Sequence, residues 1–297
     1  MSFRSALRPL KRIADRGFES LWSFAFTLTG LFTRRRPCLW RSDGGCKVLV
    51  LAPHPDDEAI GCAGTILRHV ASGDEVCVCV ATDGRRSRFL CDPDRMAALR
   101  HREALAAADR LAVARLAWLG LPEGECTSQE IARALLGVLR EIQPKLVYAP
   151  SRIDFHPEHL KVARALAMAF GDWTEHHEAA VRIYPVQVPL GATCNLVSEL
   201  SGLESRVQQV LNAYASQSGV LPGILRRRRY SSCLHRFGCP LEEFWEVAAR
   251  DYIALHSNDS RHWARAFRGV RNGAVSDPLA YLVGRAERQR LKDSVGA

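Results

Sequence analysis

From Cys46 onward, short apolar runs alternate with segments in which apolar residues recur every three or four positions, the pattern of a parallel sheet covered by helices. The runs predict strands at 47–52, 75–81, 115–119, 145–149 and 181–188. Between them, Ile60, Ala63, Leu67 and Val70 form one helical stripe. Ile131, Leu135, Val138, Leu139 and Ile142 form another, which Pro144 stops before the next strand. Leu203, Val207, Val210, Leu211 and Tyr214 repeat the helical spacing, and 241–255 predicts one more helix. The arginine run 226–229, preceded by Gly219, Pro222 and Gly223, reads as an exposed loop. The fold class expected is α/β: a Rossmann-like, mostly parallel sheet flanked by helices, one main domain with N- and C-terminal helical appendages. The boundaries are 1–45 for a basic N-terminal appendage with an apolar helix, 46–220 for the main domain, and 221–297 for a basic C-terminal extension packing on it.

Composition narrows the class without changing this picture. The 297 residues are 47% hydrophobic and 25% charged, which suits a globular protein and excludes disorder, collagen and coiled coil. The longest apolar stretch, 21–32, is shorter than the ~20 residues that span a bilayer. No Cys-x-x-Cys pair occurs among the ten cysteines, and Cys62, Cys77 and Cys79 lie in apolar runs where a thiol acts as a small hydrophobe. With no signal-peptide pattern at the N-terminus, a reducing, cytoplasmic location is expected.

The formal charge of +9 is uneven: residues 1–45 carry nine basic and three acidic groups, and 226–297 carry fourteen and eight, leaving the middle slightly acidic. Such ends attract nucleic acid, an anionic membrane or a phosphorylated substrate, or are merely solvated. In the first appendage, Arg8, Lys11, Arg12 and Arg16 precede a segment containing Trp22, Phe24, Phe26, Leu28 and Phe32, and Arg34–Arg36 follow it. Residues 1–40 therefore read either as a peripheral contact with the inner face of a membrane, as a segment packing on the domain or a second subunit, or as a short inserted segment. The oligomeric state is left open.

Two histidine and carboxylate clusters carry the chemistry. Ala52-Pro53-His54-Pro55-Asp56-Asp57-Glu58 follows the first main strand, and Asp154-Phe155-His156-Pro157-Glu158-His159 follows the fourth. Both join a strand to a helix, so both belong at the carboxyl edge of the sheet, where open α/β sheets bind ligands. His54, Asp57 and His159 make a His-Asp-His set suited to zinc, with iron(II) or cobalt(II) as alternatives. Asp56, beside the ligands, is placed to take a proton from water, and Asp154 to orient a neighbouring histidine. Carboxylates at a helix start also arise as caps or dipole partners, and lone histidines are mostly structural or surface groups. His69, His101, His176, His177, His235, His256 and His262 are read that way. Two clusters in equivalent places resist that explanation.

The residues His54–Glu58 and His156–His159 resemble the two motifs, His-Pro-Asp-Asp-Glu and His-Pro-Asp-His, of the PIG-L / LmbE-like family of zinc-dependent N-acetylglucosaminyl deacetylases. Thr82-Asp83-Gly84, residues 119–124 and Ala213-Tyr214-Ala215-Ser216-Gln217 add to the resemblance, which covers about residues 46–220. It implies His54, Asp57 and His159 as metal ligands, Asp56 as general base and a protonated His156 stabilising the oxyanion. The implied reaction is removal of an N-acetyl group from an amino sugar, with release of acetate. Three departures stand out: Glu158 and Glu123 replace the usual Asp, and Arg85, Arg86 and Arg88 replace an acidic continuation. These arginines, with Glu123, are the expected substrate contacts, and they favour an anionic, phosphate- or lipid-linked glycoconjugate. The same metal site acting as an amidase or deacylase on another small molecule is the nearest rival. A nucleotide-binding module lacks its Gly-x-Gly-x-x-Gly fingerprint, and a nucleic-acid partner is not expected because it leaves both clusters unexplained.

Overall fold

Five of the six residues of Lys47–Ala52 (β2) are buried, so this strand needs apolar side chains on both faces, and it has them. The computed structural model describes residues 8–33, 36–87, 89–154, 156–173 and 179–257, with 281, 282, 284, 285, 288, 289 and 293 near the C-terminus. After helix α1 (Arg8–Leu31) and the short β1 (Cys38–Leu39), the chain alternates strand and helix. The order is β2, α2 (Asp57–Ala71), β3 (Glu75–Thr82), α3 (Pro93–Leu111), β4 (Arg115–Leu121), α4 (Ser128–Ile142), β5 (Leu146–Pro150), α5 (Pro157–Asp172) and β6 (Ala180–Tyr184). It ends with β7 (Leu196–Glu199), α6 (Glu204–Leu211), α7 (Leu221–His235), β8 (Leu241–Ala248) and α8 (Ala249–Ser257).

The sheet order is β1-β7-β8-β6-β5-β2-β3-β4. Pairings among β2 to β6 are parallel, while β8 runs antiparallel to both β6 and β7. One apolar core lies under α4, α5 and α8 and contains Leu135, Leu139, Leu166, Phe170 and Tyr252. The other lies under α2, α3 and α6 and contains Ile66, Leu111, Val210 and Phe244. From β2 the chain moves one way to β3 and β4, then returns to add β5 on the other side. That reversal opens the crevice used for ligands in such sheets.

The mostly parallel α/β fold is as expected, with three local corrections. The strand predicted at 181–188 ends at Tyr184. Pro185 has no N–H, and the N–H groups of Val186, Gln187 and Val188 donate to the carboxylate of Asp154 at 3.1, 3.0 and 2.8 Å instead of continuing the ladder. The helix predicted over 241–255 is a strand to Ala248 and a helix only afterwards. Glu242 and Glu243, which suit a solvated helix face, are buried on that strand with ionic partners, Arg228 for one and His235 for the other. The arginine run 226–229 lies within α7, not in a loop; Pro222 is accommodated in the first turn, and Arg228 is buried.

Glu242 also binds α2 from outside. Its carboxylate accepts from the Gly64 and Thr65 N–H groups at 3.0 and 2.8 Å, while Arg228 donates to the Ile60 carbonyl at 3.2 Å. The C-terminal extension is therefore hydrogen-bonded to the helix that opens on His54–Glu58.

Helix α8 closes the other face: Tyr252 Oη donates to the Ala163 carbonyl at 3.0 Å, and His256 Nδ1 to the Tyr252 carbonyl at 2.8 Å. Burial lowers His256 to about 3, and the nearby Arg152 and Arg164 act in the same direction. Because its unfolded value is near 6.5, the unfolded chain binds a proton that the folded chain refuses across this interval. This contribution is complete above pH ~6.5 and is lost as pH falls toward 3. Between pH 7 and pH 5 the His256→Asn variant should lose about 2 kcal/mol less stability than the parent in urea unfolding.

Candidate metal and hydrolytic site

The loops after β2 and β5 meet because those strands are neighbours, with Val48, Leu49 and Val50 in register with Leu146, Val147 and Tyr148. His54, Asp57 and His159 come together there, each buried. Asp57 Oδ2 lies 3.2 Å from His54 Nδ1 and 3.2 Å from His159 Nε2. Donors placed ~2.0–2.1 Å from one tetrahedral ion are separated by about 3.3 Å, so both of these separations suit donors to a shared divalent cation. His156 is also close: its ring centroid is 4.6 Å from that of His54 and 5.1 Å from that of His159. It joins those two histidines in a second potential donor triad. Asp57 Oδ2 adds a negative charge and lies between the rings of His54 and His159.

His159 is held from behind. Asp154 accepts from His159 Nδ1 at 3.0 Å, leaving Nε2 for an ion, and its bonds to residues 186–188 fix the carboxylate itself. Burial alone would lower His54, but Asp57 and Glu123 together outweigh it and raise it to about 9. Burial also opposes protonation of His159, and Asp57 and Asp154 reverse this to about 10. Both rings must release a proton to bind metal, so metal uptake is coupled to proton release.

Asp56 precedes the first residue of α2, yet its side chain makes no capping bond. Its oxygen Oδ1 instead accepts from Arg100 Nη2 at 3.0 Å. Its φ of 132° lies in a region that non-glycine residues rarely occupy, a conformation costing about 1–3 kcal/mol. Burial raises Asp56 to about 6 despite the opposing charge of Arg100. Beneath it, Glu58 accepts the Asp56 N–H at 3.2 Å and a hydrogen bond from Tyr214. His156 caps α5 by accepting the Glu158 N–H at Nδ1, at 3.3 Å, which leaves the proton of the neutral ring on Nε2. Burial, then the charges on His54 and His159, lower it to about 3, so the ring is neutral while those two neighbours carry their protons.

The expected substrate contacts divide. Arg86 lines the pocket with Glu123, whose Oε1 is 3.4 Å from His54 Nε2. Arg85 turns away to Asp83 at 2.6 Å, and Arg88 lies outside the described residues. Arg100, Gln217 and Arg227 also line the pocket and were not anticipated. Arg100 left one signal: it follows the buried Met96 by one helical turn and precedes Ala104 by another, a charge on the apolar stripe of α3. Elsewhere, His69 and His235 are buried and paired with Asp74 and Glu243, as structural residues should be. His176, His177 and His262 lie outside the described residues.

Residues 49–170 match the family description GlcNAc-PI de-N-acetylase, PIG-L. This match covers about two fifths of the chain and includes the residues of both histidine clusters. Within the PIG-L span fall both motif loops and Arg100, whereas Tyr214, Arg227 and Glu242 lie beyond it. One similar protein is a 1D-myo-inositol 2-acetamido-2-deoxy-alpha-D-glucopyranoside deacetylase of Kineococcus radiotolerans, 27% identical over 51% of this chain and 54% of its own. A diacetylchitobiose deacetylase of Thermococcus kodakarensis is 32% identical over 38% of this chain and 45% of its own. The chain thus spans about half the length of these two curated relatives. Among solved structures, the N,N'-diacetylchitobiose deacetylase of Pyrococcus horikoshii superposes with a TM-score of 0.61 at 22% identity, covering 70% of this chain and 86% of that one. This likeness shows a shared fold.

Elemental analysis of the purified protein should find about one divalent ion per chain. His159→Ala should abolish it, and Asp154→Ala should weaken metal affinity by roughly 10–100-fold. Full metal retention in His159→Ala would contradict the ligand set.

Proposed function

We propose that this chain is a metal-dependent hydrolase that removes the N-acetyl group from an N-acetylated amino sugar of the GlcNAc type and releases acetate. The observation that carries this reading is the convergence of His54, Asp57 and His159 beside a buried carboxylate, Asp56, that makes no capping bond to its helix and is held by Arg100. Zinc is the proposed ion, and iron(II) or cobalt(II) would suit the same donors. When bound, the ion supplies Lewis acidity, acidifying water and polarising the acetyl carbonyl.

Arg100 engages Oδ1 of Asp56, so Oδ2 is the oxygen that takes the water proton as hydroxide adds to the carbonyl carbon. The Nε2–H of His156 donates to the oxygen on which negative charge develops. Asp56 then returns its proton to the amide nitrogen as the C–N bond breaks, giving acetate and a free amine. Arg86 and Arg227 at the pocket mouth favour a substrate with an anionic substituent, such as a phosphate-linked glycoconjugate. All ten cysteines are free thiols, in keeping with the cytoplasmic site of action proposed for it. The nucleic-acid alternative loses its exposed arginine loop, since that run is helical and Arg228 is buried against Glu242.

Acetate release should be measured on a panel of N-acetylglucosaminides with neutral and phosphorylated aglycones. Asp56→Asn should retain its metal and lower kcat by roughly 10²–10⁴-fold. Metal retention with unchanged turnover would remove Asp56 from the chemistry, and failure to cleave any N-acetyl sugar would overturn the substrate assignment.

A further inference from the structure

Helix α1 has two apolar faces, and only one of them is used. At 3.6 residues per turn, Trp22, Phe26 and Gly30 share the face seated on α7. Phe26 stacks on Tyr230 with centroids 5.1 Å apart, and Gly30 approaches the Leu234 carbonyl so closely that a Cβ would collide with it. Roughly opposite lie Leu21, Phe24, Leu28 and Leu31, all exposed, continued past the helix by Phe32. Phe24 is 62% and Phe32 85% exposed, unusual for aromatic side chains in a row along one helix. Because the docked face fixes how α1 is rotated, this second stripe cannot turn inward without losing the contacts to Tyr230 and Leu234.

We propose that this stripe is a membrane-interface surface whose partner is a bilayer containing anionic lipid. Three observations select that partner. The helix is amphipathic toward solvent and, though 24 residues long, is not apolar enough to cross a membrane. Its apolar segment is flanked in sequence by Arg8, Lys11, Arg12 and Arg16 on one side and Arg34–Arg36 on the other, with Arg16 and Arg36 exposed. A second copy of the chain would bring the same excess of nine basic over three acidic groups in residues 1–45 against itself, whereas an anionic lipid surface is complementary to it. The surface is also joined to the pocket: α7, on which α1 rests, supplies Arg227 to the pocket mouth. Membrane attachment does not depend on which bond the pocket cleaves.

The test is flotation of the full-length, metal-loaded protein with vesicles of phosphatidylcholine plus phosphatidylglycerol, or of phosphatidylcholine alone. The comparison is a variant combining Leu21→Ser, Phe24→Ser, Leu28→Ser and Leu31→Ser. The parent should float with the anionic vesicles, far less with the neutral ones, and less as salt is raised. The variant should lose about tenfold or more of its bound fraction, as removal of most of the buried apolar surface requires. Unchanged metal content and thermal midpoint in the variant confirm that the loss is not unfolding. A parent that stays at the bottom with anionic vesicles overturns the proposal, as does a folded variant that floats equally well. So does a parent that forms a dimer dissolved by these substitutions without ever floating, since a second copy would then cover the stripe.

Discussion

The parallel pairing of β2 with β5 is the constraint from which the site follows. Each strand ends in a turn that starts a helix, and in a parallel pair both turns emerge at the same edge. Residues more than a hundred positions apart are thereby placed within one ion's reach, without any long loop that must be ordered on binding. The right-handed crossover rule and the reversal of strand order leave a crevice at that edge. Asp154 serves both requirements: it ends β6 by taking three backbone N–H groups, and it holds the imidazole of His159.

Around this pair the protein tolerates many buried charges because each has a partner. Asp56 is matched by Arg100, Glu242 by Arg228, and Glu243 by His235. A buried charge left alone costs several kcal/mol, so these pairs are retained as units. Their chain positions show how the appendages belong to the site. Arg228 and Glu242 come from the C-terminal extension and bond to the backbone of α2, and β8 completes the sheet between β6 and β7. The strained backbone of Asp56 persists within this framework, braced by Glu58 and Tyr214.

What was legible in the sequence was local. The strands β2 to β5 announce themselves as apolar runs, and both motif loops can be placed because each follows such a run and opens a helix. What was hidden depends on partners remote in sequence. Arg100 acquires meaning only when Asp56, forty-four residues earlier, is beside it. Glu242 and Glu243 disguised β8 as a helix because their burial is offset by Arg228 and His235, which no local pattern reveals. The basic run in α7 looked solvated for the same reason. His156 was placed correctly beside the ligands, but its protonation state depends on burial and on the two neighbouring histidines.

In the proposed site His54, Asp57 and His159 hold one metal ion, with Asp56 left free beside it. Anomalous diffraction from zinc-containing crystals, recorded on both sides of the zinc absorption edge, addresses it directly. The account predicts one strong peak within bonding distance, about 2.0–2.3 Å, of His54, Asp57 and His159, with Asp56 outside that shell. A peak held by His54, His156 and His159 with Asp57 uncoordinated, or zinc bound only elsewhere on the protein, would contradict it.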